Sequence, residues 1–369
     1  MHSQGRMKEI AVRYSKRIEN LRSKLSSEKI DAMYIVHLPN IRYVTGFTGS
    51  NAQLIVTQRD AYFFSDGRYG EQARQEVTNA KIYITSTRSI TEEIVHRKIL
   101  KGIKRLGFEK DHILYSHYML ASKSFAPVNM KGVSQFVERW RMIKSSDEIH
   151  ALRKAAEISD VVFYHLLTRI KPGVTEIDLS SEITFAHKSL GASGDAFEPI
   201  VLAGKRSSLV HGQPDGTKIK QGDIVLLDFG CVFGGYHSDM TRVVVVGKTS
   251  NRIRNMYDLI LEAQQAAIEA ARFGADVRSI DRAARSIIRK AGLGKYFSHS
   301  TGHGIGLEIH ETPRVSFKGE HVVEPGNVIT IEPGVYIPNV GGIRIEDDIV
   351  IGADAPEVLN KSPKELIVL

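Results

Sequence analysis

The sequence predicts a two-domain chain of mixed α/β and α+β class, and three features point to it. Its 369 residues, 42% of them hydrophobic, can bury two separate cores. From Asp31 to about Phe108, short β-rich runs alternate with helical stretches. In the C-terminal half, a helix-glycine-helix unit occurs twice.

In the N-terminal part, residues 32–36, 53–56, 61–64 and 81–84 read as strands, and 70–77 and 91–100 as helices. The pattern loosens over 126–133, around Pro127, Asn129 and Gly132. Ser145 and Glu148 then form a capping-box pattern ahead of an apolar stripe of Ile149, Leu152, Ala156 and Ile158. The domains expected are therefore 7–138 and 143–369. In the second, a helix over 148–170 stops at Pro172-Gly173, and another opens at Ile177-Asp178 toward Leu190. A helix over 253–272 likewise stops at Phe273-Gly274, and Ile280-Asp281 lies in a helix ending near Gly292. This repetition predicts a pseudo-symmetric core with β-segments at 224–229, 240–246, 328–331 and 342–351.

The formal charge of +8 raises the question of nucleic acid, so its distribution matters. Residues 1–30 hold Arg6, Lys8, Arg13, Lys16, Arg17, Arg22, Lys24 and Lys29 against Glu9, Glu19 and Glu28. With Ile10, Ile18, Leu21 and Leu25 at helical spacing and only Tyr14 as an aromatic surface, this excess reads as the solvated face of a helix. No nucleic-acid partner is expected. No run of about 18 apolar residues occurs and the N-terminus carries charges every few positions, so neither membrane insertion nor export is expected. Cys231 is the only cysteine, which rules out an internal disulfide and fits a reducing cytoplasm. It reads as a small residue at a strand end, because no sequence feature supplies an activating base.

Several carboxylates sit where they are hard to explain singly. Asp228 ends the apolar run Ile224-Val225-Leu226-Leu227, and Asp239 immediately precedes the apolar run at 240–246. A hairpin through the intervening glycines would set these acids side by side, where they repel unless a cation lies between them. Alone, each would read as a turn or cap residue. Glu332 ends the strand at 328–331 before Pro333-Gly334, and Glu346 shares one face of an alternating segment with Arg344. A half-exposed edge strand would carry the same alternation. His303 lies between Gly302 and Gly304, which would keep side chains from crowding a ligand. The pattern H-E-x-x-H fails after His310-Glu311, where Arg314 stands in place of the second histidine and Pro313 would break the helix. Glycines at 302, 304 and 306 also miss the dinucleotide spacing G-x-G-x-x-G.

Four carboxylates bring four negative charges that two divalent cations balance. Two metals about 3.5–4 Å apart can hold a bridging hydroxide and polarise a carbonyl, so the expected chemistry is hydrolysis. An oxygen-rich shell with one imidazole suits Mn²⁺ or Co²⁺, with Zn²⁺ as a further option.

The ordered set Asp228, Asp239, His303, Glu332 and Glu346, within LLDFG, HSDMTR, TGHGIGLEIHE, TIEPG and IRIEDD, resembles the metallopeptidases of the pita-bread fold. Within them it is similar to the proline-specific branch, Xaa-Pro aminopeptidase and Xaa-Pro dipeptidase. Asn40 to Ser50 and Ser65 to Tyr69 resemble the creatinase-type N-terminal domain of that branch. The resemblance implies that Asp228 chelates one metal, Asp239 and Glu346 bridge the pair, and His303 and Glu332 complete the opposite site, with Glu332 also passing protons. It further implies that His211 binds substrate, His310 contacts the tetrahedral intermediate, Arg344 orients a ligating carboxylate and His299 lines the pocket for the proline ring.

Proline specificity comes from this resemblance alone, and so does the expectation of a homodimer. Phe47-Thr-Gly-Ser50 is closer to the aminopeptidases, which makes N-terminal Xaa-Pro cleavage from peptides the expected activity. A dipeptidase would need a basic residue for the substrate carboxylate, and no loop residue of that kind stands out. A non-catalytic peptide- or histone-binding member of the fold would have lost metal ligands, all five of which are present.

Overall fold

The computed structural model describes residues 2–369, with side chains from residue 12 onward. Arg6, Lys8, Glu9 and Ile10 thus lie outside the described side chains, while Ile18, Leu21 and Leu25 are buried on the inner face of the helix His2–Leu25. Arg17 departs from the expected solvated face. It is buried, donates to the Tyr43 carbonyl at 2.7 Å and lies over the Tyr43 ring.

The chain forms two compact units, one ending at Arg141 and the other spanning Met142–Leu369. The first is built on a six-stranded mixed sheet. Its strands, in spatial order, are Lys81–Thr85, Ala61–Asp66, Gln53–Thr57, Ala32–Ile35, Arg105–Glu109 and Asn129–Val133. Tyr34, Ile55, Phe64 and Leu106 pack beneath helices Ile90–His96 and Tyr115–Ser124. The helix Leu38–Thr45 was not anticipated; Pro39 sits in its first turn and Gly46, at φ 84°, ends it. The loosened segment at 126–133 is in fact the edge strand, parallel to Arg105–Glu109. An edge strand exposed over most of its length needs no apolar alternation, which is why its residues did not read as β.

In the second unit the repeat is explicit. Helices Ser146–Leu167 and Glu176–Ser189 form one pair, Asn251–Ala270 and Val277–Lys290 the other. Each pair is joined through a left-handed glycine, Gly173 at φ 94° and Gly274 at φ 81°. Gly173 N–H donates to the Ile219 carbonyl and Gly274 N–H to that of Val323, both at 2.9 Å. Next comes a second left-handed glycine in each half, Gly222 and Gly326. Gly222 opens the strand Ile224–Phe229, which carries Asp228; Gly326, at the same spacing, opens Val328–Ile331, which delivers Glu332. The halves thus present one acid each from equivalent strand ends.

Two sheets receive these strands, the first antiparallel except for its parallel edge strand Ile367–Val368 and the second antiparallel throughout. One runs Ile367–Val368, Met240–Val245, Ile224–Phe229, Ile200–Ala203; the other runs Glu311–Val315, Gly302–Gly304, Val328–Ile331, Asp347–Val350, Glu357–Val358. Buried Val, Ile and Leu side chains fill the space between sheets and helix pairs. The segment at 342–351 is not one strand. Gly341–Arg344 pairs with Gly334–Ile337, whereas Asp347–Val350 joins the five-stranded sheet, and the chain breaks at Ile345-Glu346. Both strands are fully buried, so the half-exposed alternation does not apply. Among the described residues no helix is long and apolar enough to cross a membrane.

Candidate metal centre

A cavity of about 570 Å³ opens in the second unit, and all nine residues expected from the sequence to hold metal or substrate line it. Asp228, Asp239, His303, Glu332 and Glu346 lie there together with His211, His299, His310 and Arg344.

Strand pairing does the first part of this assembly. Thr241 lies opposite Asp228 in the antiparallel register, so Asp239, two residues earlier, projects to the same side just beyond the strand. A smaller hairpin, Cys231–Phe233 with Tyr236–His237, takes up the intervening chain. Cys231 is buried there; its thiol, pushed up to about 12 by burial, faces the Ala155 carbonyl and takes no part in the centre. The break at Ile345-Glu346 then turns the Glu346 carboxylate back toward this pair. Its Oε2 accepts from Thr241 Oγ1 at 2.6 Å, and its backbone N–H donates to the Thr241 carbonyl.

His303 is held in one tautomer. Its Nδ1 lies 3.0 Å from the Gly304 carbonyl, which can only accept, so Nδ1 carries the proton and Nε2 presents a lone pair. That lone pair faces Asp239 Oδ2 at 3.6 Å and Glu332 Oε1 at 3.5 Å. Burial holds His303 down to about 4, so no proton on Nε2 reconciles it with the carboxylates near neutrality. The glycines beside it serve a different purpose from the one expected. A Cβ on Gly302 would strike the Thr330 carbonyl and one on Gly304 the Thr312 carbonyl, so neighbouring strands rather than a ligand demand them.

Arg344 anchors the other side. It donates to Asp228 Oδ2, to Thr241 Oγ1 at 3.0 Å and to Tyr336 Oη at 2.5 Å. Tyr336, whose hydroxyl burial raises to about 12, then donates to His299 Nε2 at 3.0 Å, while His299 Nδ1–H is spent on the Ser300 carbonyl. Burial, reinforced by Arg344, holds His299 down to about 3. His310 packs edge-on against His303 at 4.4 Å between ring centroids.

Burial and mutual repulsion push Asp239 and Glu346 well above the ordinary carboxylate range. Burial lifts Glu332 to about 7 despite Arg344. Four acids so placed call for cations, and the donor set fits divalent metal. Asp228 Oδ1 and Asp239 Oδ1 are buried with no hydrogen-bond partner. One oxygen each of Asp239 and Glu346 and one nitrogen of His303 lie within 4.8 Å of one another. Oxygen ligands with a single imidazole and no thiolate suit a hard or borderline divalent ion.

Pattern reading missed Tyr336, Thr241 and Arg314. Tyr336 lies on Gly334–Ile337 in an apolar run, and Thr241 had only its neighbour Asp239 to recommend it. Arg314 stood out only as the residue that broke a zinc motif; it lies on Glu311–Val315, a strand where a helix would have been needed, and lines the cavity with its Nε on Ser300 Oγ at 2.6 Å.

Fold and site together define a pita-bread metallohydrolase carrying a creatinase-type N-terminal domain. The chain belongs to metallopeptidase family M24, whose description matches residues 150–353, and the Creatinase/Prolidase N-terminal domain matches residues 17–143. It is 42% identical to an uncharacterized peptidase of Bacillus subtilis, over 96% of this chain and 100% of that one. Among solved structures it is similar to an Xaa-Pro dipeptidase from Bacillus anthracis, with TM-score 0.94, 40% identity and coverage of 96% of this chain and 100% of the other. It is also similar to an X-Pro aminopeptidase from Thermotoga maritima, with TM-score 0.87, 32% identity and coverage of 92% and 98%.

Proposed function

We propose that this metallopeptidase cleaves the peptide bond preceding proline and that Xaa-Pro dipeptides are its preferred substrates. The observation that carries the choice of dipeptide is Arg314, a guanidinium on the cavity wall able to receive the free carboxylate that only a dipeptide places next to its prolyl ring. The likeness to an Xaa-Pro dipeptidase at 40% identity supports the same reading. In the segment Phe47-Thr-Gly-Ser50, which tilted the sequence reading toward an aminopeptidase, Phe47 is buried against Phe63 and Tyr69 and Ser50 Oγ bonds the Tyr69 hydroxyl, so these two side chains are engaged within the N-terminal unit.

In this reading Asp228, Asp239, His303, Glu332 and Glu346 hold two divalent cations, Mn²⁺ or Co²⁺ by their donor chemistry. When bound, such ions polarise a carbonyl and lower the pKa of water to near neutrality. The remaining work belongs to the chain. Arg344 and Tyr336 fix Asp228, and Thr241 fixes Glu346. Phe197, Val210 and Ile309 line the cavity with apolar surface that keeps bulk water from the peptide. His211 and His310 donate to the substrate carbonyls, and His299 walls the space for the prolyl ring. Glu332 stands on the cavity wall among the other acids, where its carboxylate can take a proton from water and return it to the prolyl nitrogen, which has no N–H and must be protonated to leave. A homodimer in the cytoplasm belongs to the same proposal.

The test is to compare Xaa-Pro with Xaa-Pro-Pro at saturating Mn²⁺, in the native chain and in Arg314→Leu. Preference for the dipeptide, with its KM raised roughly 10- to 100-fold by the substitution, supports the reading. Equal turnover of both substrates, insensitive to Arg314, favours the aminopeptidase, an activity in keeping with the Thermotoga maritima likeness.

A further inference from the structure

One carboxylate of the cavity wall belongs to no metal set. Glu311 follows His310 directly and opens the strand Glu311–Val315. Its side chain is 6% exposed and lies 3.2 Å from the Lys144 ammonium, whose side chain is 2% exposed. The four acids of the centre face Arg344 and the proposed cations, and this fifth acid is matched by Lys144. A pair so far from water persists only with good geometry and with its remaining valences used. Glu311 Oε1 accepts the Glu308 N–H at 3.2 Å, and the carboxylate packs on Gly306 so closely that a Cβ there would meet both oxygens at 2.7 Å. Residues 305–310, which belong to no helix or strand, thus curl around the Glu311 carboxylate.

The other end of the pair is fixed independently. Lys144 N–H donates to the Gly326 carbonyl at 2.8 Å, and Asn327 Nδ2 donates to the Met142 carbonyl at 3.0 Å. Gly326 and Asn327 open the strand that delivers Glu332. Lys144 therefore ties the irregular loop bearing His310 to the base of the strand bearing a metal-site acid, at the point where the chain enters the catalytic unit.

We propose that Lys144 is a positioning residue: its buried ion pair with Glu311 sets His310 against the substrate while leaving the metal site itself intact. This rests on the reading above, in which His310 acts on substrate. A tether of this kind acts on turnover, because a misplaced donor weakens the transition state more than it weakens binding of the metal.

The experiment uses the full-length, metal-loaded chain with Lys144→Met, Glu311→Gln and the double variant. For each, bound metal, KM and kcat for an Xaa-Pro dipeptide, and amide hydrogen exchange over residues 305–311 and 328–331 are measured. The proposal expects kcat to fall roughly 10- to 100-fold in each single variant, with bound metal unchanged and KM within about twofold. It expects the double variant to be no worse than the singles, because both remove one tether. Exchange should quicken over 305–311 and stay unchanged over 328–331. Unchanged kcat per bound metal, losses that multiply in the double variant, or faster exchange spread over both segments would overturn it. If Lys144→Met does not fold, Glu311→Gln breaks the same pair from the other side. A native chain inactive on Xaa-Pro would sink the substrate reading alone, since the exchange comparison still decides the tether.

Discussion

Arg344 joins Asp228 to Tyr336: one guanidinium nitrogen donates to the carboxylate and another to the phenol oxygen, with both partners buried. Strand Gly341–Arg344 thereby braces an acid carried by a different sheet. Arg344→Met leaves that carboxylate without its cation, a loss of roughly 3–5 kcal/mol for a buried pair. Chemical denaturation should register this destabilisation, and kcat/KM should fall by about 100-fold or more because Asp228 loses its orientation.

Tyr336→Phe isolates the hydroxyl from the same network. The ring still fills its space, but Arg344 Nη1 and His299 Nε2 each lose a partner, at a cost of roughly 1–3 kcal/mol. Thermal unfolding should show a modest drop. Turnover should fall by about tenfold if the chain from Arg344 to His299 serves the site, and steady-state kinetics on an Xaa-Pro dipeptide measures it.

Glu332 makes the metal-free protein pH-sensitive. Its folded-state affinity for a proton, near pH 7, exceeds the ordinary 4.5, so the folded state holds the proton longer than the unfolded state. The stability it contributes is fully present below about pH 4.5 and is lost as pH rises to about 7. His303 acts oppositely, its contribution growing between about 4 and 6.5, so a comparison of variants is cleaner than a single profile. Relative to Glu332→Gln, the native apoprotein should lose roughly 3 kcal/mol between pH 4.5 and 7. Denaturation curves in chelator at several pH values test this, and added metal should abolish the loss.

Gly302→Ala should displace His303. The new methyl meets the Thr330 carbonyl on the adjacent strand, and backbone cannot yield as a flexible side chain can. A loss of about 1–3 kcal/mol in stability should accompany weaker metal retention, measured by dialysis against chelator.

Much of this was legible beforehand, for physical reasons. An acid at the end of an apolar run draws notice, yet alone Asp228 reads as a turn or cap residue, and it was the set of strand-end acids that pointed to a metal centre. The helix-glycine-helix repeat was a weaker signal, because such arrangements are common, and the structure gives it its reason in the left-handed conformation of Gly173 and Gly274. Less could be read where the decisive neighbour is distant in sequence. Nothing in the apolar run around Tyr336 predicts a hydrogen bond to Arg344, and nothing in Lys144 predicts Glu311. The break at Ile345-Glu346 hid within good β-sequence, since its cause is the turn of one strand from one sheet to another. The edge strand Asn129–Val133 lacked alternation because exposure there asks for none.

Counting bound metal tests the central claim most directly. The chain, purified and saturated with Mn²⁺ and then freed of excess, should carry two ions by elemental analysis; Asp239→Asn should lose metal and all peptidase activity yet keep its circular dichroism. A native chain that retains no ion, or an Asp239→Asn variant that keeps both ions and full turnover, would contradict a centre built on these five side chains.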